Sequence, residues 1–192
     1  MKRFFTLLIA ALLISGSSWA YNREIVAIHS KAMDKDILVT VFLPDNYHKA
    51  EKLPVVYLLH GYSGSNKDWD EMGQAGPLAD KHNVILVLPD GGYDSWYFDS
   101  PINPKHRYET FVTGEVVSYI DSHYKTDARR EARAISGLSM GGRHTMFVGL
   151  KNLDLFATFG VLSAGDNRPE ETLGEFLNDP KANEKVDYLF IG

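Results

Sequence analysis

The spacing of apolar and polar residues changes period several times along the chain. From Glu24 the pattern alternates. Ile25 and Ala27, then Ile37, Val39, Val41 and Leu43, are expected to point one way from two extended segments. Met33-Asp34-Lys35-Asp36 lies between them as a polar turn, which predicts an antiparallel hairpin at the start of a sheet. Residues 55–59 (Val-Val-Tyr-Leu-Leu) and 84–88 are continuous apolar runs, the pattern of strands buried on both faces. Residues 68–81 read as a helix with Asp68 as its N-cap, against the resistance of Gly73, Gly76 and Pro77. Residues 89–106 are rich in Gly, Pro, Asp and aromatics and read as a loop. Phe111, Val112, Val116, Tyr119 and Ile120 fall at helical spacing and predict a helix over 108–124. A short strand over 132–136, a helix over 140–150, and strands over 156–162 and 186–191 complete the series. Strands alternating with helices predict one α/β domain over 21–192, with a mostly parallel sheet covered on both faces.

The first 20 residues stand apart. Lys2 and Arg3 precede a nearly continuous apolar run from Phe4 to Ile14, and Ser18-Trp19-Ala20 fits a small-x-small cleavage site. That is the layout of a secretory signal peptide. The run is little more than half the roughly 20 apolar residues a spanning helix needs, so cleavage is expected and stable membrane insertion is not. Export to the periplasm or beyond follows as an expectation. Cleavage would remove two positive charges and take the formal net charge from -5 to -7. An acidic chain offers no footprint for nucleic acid. The one basic cluster, Lys125, Arg129, Arg130 and Arg133, is diluted by Asp127 and Glu131 and reads as a solvated turn. The chain has no Cys, which excludes disulfides, thiolate catalysis and cysteine-ligated metals. It also lacks H-E-x-x-H, a Walker A sequence and a dinucleotide fingerprint, so no metal or cofactor is expected.

The chemistry centres on Gly137-Leu138-Ser139-Met140-Gly141. G-x-S-x-G is a weak signal alone. Here it sits between a predicted strand and a predicted helix, the setting a nucleophile elbow requires. Such a turn is tight. Gly137 and Gly141 would lie close across the bend, where side chains would clash, and Ser139 would be held strained with its hydroxyl exposed. The Met140 N–H, at the positive end of the following helix, could then face a developing oxyanion. A second oxyanion donor should come from the loop after the strand 55–59, and Tyr62 N–H is the candidate. His60 ends that buried strand, and a hydrogen-bonding role within the loop suits it better than catalysis. Trp96 and Tyr97 lie in the loop after the next strand, on the edge of the sheet where ligands bind, and could line a substrate pocket.

Four segments now carry a resemblance: Leu58-Leu59-His60-Gly61-Tyr62-Ser63-Gly64, Asp94-Ser95-Trp96-Tyr97, Tyr119-Ile120-Asp121-Ser122-His123-Tyr124 and Gly137-Leu138-Ser139-Met140-Gly141-Gly142. In order and spacing they resemble the esterase-D-like serine esterases of the α/β-hydrolase superfamily. That group includes S-formylglutathione hydrolases, tributyrin esterases, feruloyl and acetylxylan esterases and mycolyltransferases. The resemblance runs from about Glu24 to Gly192 and implies an α/β-hydrolase sandwich with Ser139 as nucleophile and the Tyr62 and Met140 amides as oxyanion donors. Such a serine needs a histidine base and an orienting carboxylate, which follow it in chain order in this fold. Of seven His, only His144 follows Ser139, in a helix that carries its side chains away from the hydroxyl. The strand 186–191 resembles the family's seventh strand, and the acid and the base are expected after it. The sequence therefore reads as C-terminally truncated, without the last strand and helix of the fold and silent by itself. The function implied is hydrolysis of short acyl or aromatic esters, including esters of polysaccharides. Acyl transfer through the same intermediate and a non-catalytic binding role are the alternatives.

Overall fold

β1 (Asn22–Ser30) and β2 (Lys35–Leu43) form the antiparallel hairpin at the start of the chain, closed by a turn in which Asp34 takes φ 51°. In this computed structural model residues 21–166 and 173–192 are described. The expected signal segment, residues 1–20, lies outside the described residues. Register pairs Ser30 with Lys35 and Val26 with Val39. Val26, Ile28 and Ser30 therefore share the inner face with Ile37, Val39 and Val41, whereas Ile25 and Ala27 point outward. The expected inward set on β1 is corrected by one position, because a one-residue change of register flips every side chain.

β3 (Val55–Leu59), β4 (Ile85–Pro89), β5 (Arg133–Leu138), β6 (Thr158–Leu162) and β7 (Tyr188–Ile191) extend the hairpin into a seven-stranded sheet. Its order is β1-β2-β4-β3-β5-β6-β7. β1, β2 and β4 pair antiparallel, and all pairs from β4 to β7 are parallel. This is the α/β-hydrolase arrangement.

Alternate residues of the central strands enter two separate cores. Val55, Tyr57 and Leu59 of β3 and Ile85 and Val87 of β4 join the larger. Leu86 and Leu88 join the smaller, with Val56 and Leu58 packed against it. Both faces being covered explains why these strands read as unbroken apolar runs.

The helices differ in detail from expectation. The expected helix 68–81 is two pieces, α1 (Asp68–Glu71) and α2 (Ala75–His82), broken where Gly73 takes φ +75°. Asp68 lies just inside α1, where its carboxylate accepts the Ser65 N–H at 2.9 Å. α2 covers the smaller core through Ala75 and Ala79. α3 (residues 108–123) is continuous, with a π-wound stretch at Phe111–Val116. α4 (residues 140–151) begins as an α-helix at Met140–His144, widens to a π-helix at Thr145–Gly149 and ends at Lys151. Both pack on the larger core. Gly174–Leu177 and Ala182–Lys185 are short helices, α5 and α6, before β7.

The basic cluster is only partly the solvated turn expected. Arg129 is exposed and paired with Asp127. Arg133 is buried instead, with a 2.6 Å ion pair to Asp121 of α3 and a hydrogen bond to the Leu155 carbonyl. It lies on β5, whose inward positions alternate, so its charge needs a partner inside.

Candidate active site

At the end of β5 the chain turns through Ser139 into α4. Ser139 has φ 53° and ψ -108°, a conformation that costs a non-glycine residue energy and persists only where its surroundings enforce it. Its N–H donates to the Leu162 carbonyl at 2.8 Å, and its carbonyl accepts the Arg143 N–H at 2.8 Å. The glycines on either side make the bend possible. A Cβ on Gly137 would fall inside the backbone of Gly141, and one on Gly141 would lie 2.5 Å from the Leu59 carbonyl oxygen. Ser139 itself is exposed and Met140 is buried. As the first residue of α4, Met140 has an amide with no partner inside the helix.

The loop after β3 abuts the elbow. A Cβ on Gly61 would lie 3.7 Å from Ser139 Cβ. The Gly61 carbonyl accepts from His60 Nδ1 at 2.7 Å and from the Gly64 N–H at 3.2 Å. The peptide is trans, so the Tyr62 N–H at its other end points away from those two donors. His60 is 1% exposed, and its Nε2 accepts the Gly91 N–H at 2.8 Å. A carbonyl can only accept and an amide only donate, which fixes the tautomer with the proton on Nδ1. Both nitrogens are thus committed to holding loops.

Residues 91–97 tie both halves of the site together. The Tyr93 carbonyl accepts the Ser63 N–H at 2.7 Å, the Tyr97 hydroxyl accepts the His60 N–H at 3.0 Å, and the Trp96 N–H donates to Met140 Sδ at 3.2 Å. Trp96 and Tyr97 both take positive φ, 53° and 54°. The pair expected to line a pocket therefore divides. Trp96 is 43% exposed and borders a cavity beside α4. Tyr97 is 0% exposed, its ring between His60 and His144, so it supports the loops and faces no substrate. Two consecutive strained residues turn one side chain out and the next in, which alternation along an irregular loop could not reveal.

His144 is also buried, and neither ring nitrogen has a hydrogen-bond partner among the described residues. Burial pushes its pKa down from 6.5 to about 3. Neither histidine beside the elbow is placed to take a proton from Ser139. Among the described residues no cluster of three side chains could hold a metal, and no helix is long and apolar enough to cross a membrane. The sequence reading missed the other cavity residues, among them Glu109, Arg143, Phe147 and Lys151. The last three recur every fourth residue, a stripe legible in the sequence as one helix face.

Comparison with known proteins relates the chain to a family of esterases. The profile of the Esterase family matches residues 30–184. An endo-1,4-beta-xylanase/feruloyl esterase of Xylanibacter ruminicola is 31% identical over 91% of this chain and 26% of its own length. An acetyl esterase of Caldicellulosiruptor saccharolyticus is 31% identical over 72% of this chain and 54% of its own. The chain thus spans between about a quarter and about half of the curated relatives named here. The solved structure of a ferulic acid esterase superposes with a TM-score of 0.73 at 27% identity, over 87% of this chain and 75% of that one.

Proposed function

The chain belongs to the Esterase family, and from that premise we propose that it carries the nucleophile and oxyanion hole of a carboxylic-ester hydrolase acting on short acyl or aromatic esters. Ser139 Oγ attacks the ester carbonyl, and the Tyr62 and Met140 amides donate hydrogen bonds to the oxyanion. The alcohol departs with a proton, and water then cleaves the acyl-serine to release the acid. The observation that carries this reading is the strained, exposed Ser139 on a strand-to-helix bend, with the Gly61–Tyr62 loop against it. An oxyanion donor of this kind is worth roughly 10²–10³ in rate. His60 and His144 are committed elsewhere, so neither is assigned as the general base. The apolar leader at residues 1–20 supports export.

The test is mass spectrometry of the chain after exposure to p-nitrophenyl acetate. An oxyanion hole without its base retains roughly 10³–10⁴-fold catalysis over water. The expected result is an acetyl adduct on Ser139 with slow turnover, absent from Ser139→Ala. An adduct elsewhere, or none, overturns the assignment of the nucleophile. Rapid turnover would overturn the inference about the base.

A further inference from the structure

A cavity of about 350 Å³ opens at the end of the sheet remote from Ser139, within the size range of small-ligand sites. The elbow follows Gly137, which pairs with Leu59 at the C-terminal end of β3. The cavity lies by Leu43, whose neighbour Phe42 pairs with Leu86 near the N-terminal end of β4. Its walls come from three elements. β1 supplies Glu24 and Val26, and the short 3-10 helix Asp45–Lys49 supplies Tyr47. The end of α3 supplies Tyr119 and His123, followed by Tyr124 in an extended conformation. Alternation along β1 puts Glu24 on the inner face with Val26 and Ile28. α3 lies against the far end of β1, where Glu115 accepts the Ala32 N–H, and has ended by Glu24. This inward-facing carboxylate therefore stays exposed.

The lining selects for positive charge. Glu24 is its only carboxylate, and no Lys or Arg is among the lining residues. The cations nearby are engaged. Arg23 pairs with Asp70 at 2.6 Å, and Lys125 Nζ donates to the His48 and Ala50 carbonyls at 2.9 and 3.1 Å. Lys125 also lies 5.6 Å from the centre of the Tyr47 ring, so that ring already attracts a cation. The Glu24 carboxylate accepts the Tyr124 O–H at 2.9 Å and has no ion pair among the described residues. Burial, with Glu24 beside it, pushes the Tyr124 pKa up, so the hydroxyl keeps the proton it donates. His123 stacks on Tyr119 at 3.9 Å, and its Nδ1 lies 2.9 Å from the Tyr119 carbonyl. That carbonyl can only accept, so the neutral ring presents Nε2 as an acceptor. The Tyr47 hydroxyl accepts the Lys125 N–H at 3.1 Å, and only it and the Tyr119 hydroxyl remain as donors. A polyol needs donors as well as acceptors, and an anion is repelled by Glu24. A cation with apolar substituents is served by every wall: the ring faces attract it, Val26 and Leu43 meet its carbons, and Glu24 supplies the opposite charge.

We propose that this cavity binds a small organic cation carrying a methylated ammonium group, away from the site of ester chemistry. None of its side chains takes part in the acyl transfer above, so the proposal stands or falls independently of the esterase reading.

The experiment titrates the chain with choline chloride by calorimetry, beside xylobiose and 3,3-dimethylbutan-1-ol, which has the shape of choline without its charge. Saturable choline binding at ~0.1–10 mM is expected, with the uncharged isostere about 10-fold weaker or more. Glu24→Gln is an exposed change that keeps an acceptor for the Tyr124 hydroxyl, and it should weaken choline about 3-fold or more. Tyr119→Leu, which keeps an apolar side chain and removes the ring, should weaken it to a similar extent. Absence of saturation in that range overturns the proposal. So does equal affinity for the isostere, which would mark plain apolar burial, or choline affinity unchanged in Glu24→Gln. Xylobiose binding tighter than choline overturns it too, since the cavity would then be a sugar site. If Tyr119→Leu fails to fold, Glu24→Gln and the isostere decide the matter.

Discussion

Three residues at the elbow obey different demands. Ser139 is strained and exposed, as the proposed nucleophile would have to be. His60 is buried and fully bonded, because the Gly61–Tyr62 peptide has to be held in one orientation. His144 is buried without hydrogen bonds, and that has a consequence in acid. Its pKa is near 3 in the native state and 6.5 when unperturbed. As pH falls below about 6.5 the unfolded chain takes up a proton that the native chain refuses until about pH 3. Stability is therefore lost across that window, by up to ~1.4 kcal/mol per pH unit. His144→Leu should flatten the acid limb of a plot of urea midpoint against pH between 7 and 5. An unchanged slope would mean that His144 is protonated in the native state.

Elements are joined here by a few polar contacts set among apolar ones. Arg133 on β5 reaches Asp121 on α3 through an otherwise hydrophobic layer. Removing one partner of such a pair strands a buried charge. Asp121→Ala should cost about 3 kcal/mol, allowing for the partial exposure of the aspartate. Asp127→Ala, which frees only the exposed Arg129, should leave the denaturation midpoint unmoved. Equal losses in the two variants would show that the Arg133 pair is no more than a surface contact. At this scale the sequence was legible wherever one period held for a whole element. The runs of β3 and β4 and the helical spacing of α3 are examples. It was less so at 68–81, where Gly73 supplies a positive φ that splits the helix. At Arg133 a charge within a basic cluster resembled solvated surface, and only the tertiary fold shows that its strand carries it inward.

In the whole molecule the sheet has unequal edges. β1 carries Asn22, Arg23, Glu24 and His29 among its exposed residues. β7 presents Tyr188, Leu189, Phe190 and Ile191, all exposed, beside β6. A parallel strand of this composition is normally covered on both faces, and an uncovered one invites pairing with another chain. The 192-residue chain should therefore self-associate in sedimentation runs at micromolar concentration. Leu189→Lys with Ile191→Lys should return it toward monomer. A wild-type chain that stays monomeric would show that these four side chains are shielded in solution.

The sequence by itself determined the order of strands and helices, the parallel sheet and the elbow serine with its glycines. Each of these follows from local rules: periodicity, turn sterics and the need to bury a continuous apolar run. Only the tertiary structure decided which face of β1 turns inward, that Tyr97 supports the loop after β3 while Trp96 opens onto a cavity, and that Arg133 is internal. Those outcomes depend on register and on partners far away in the chain, so no stretch of sequence carries them alone.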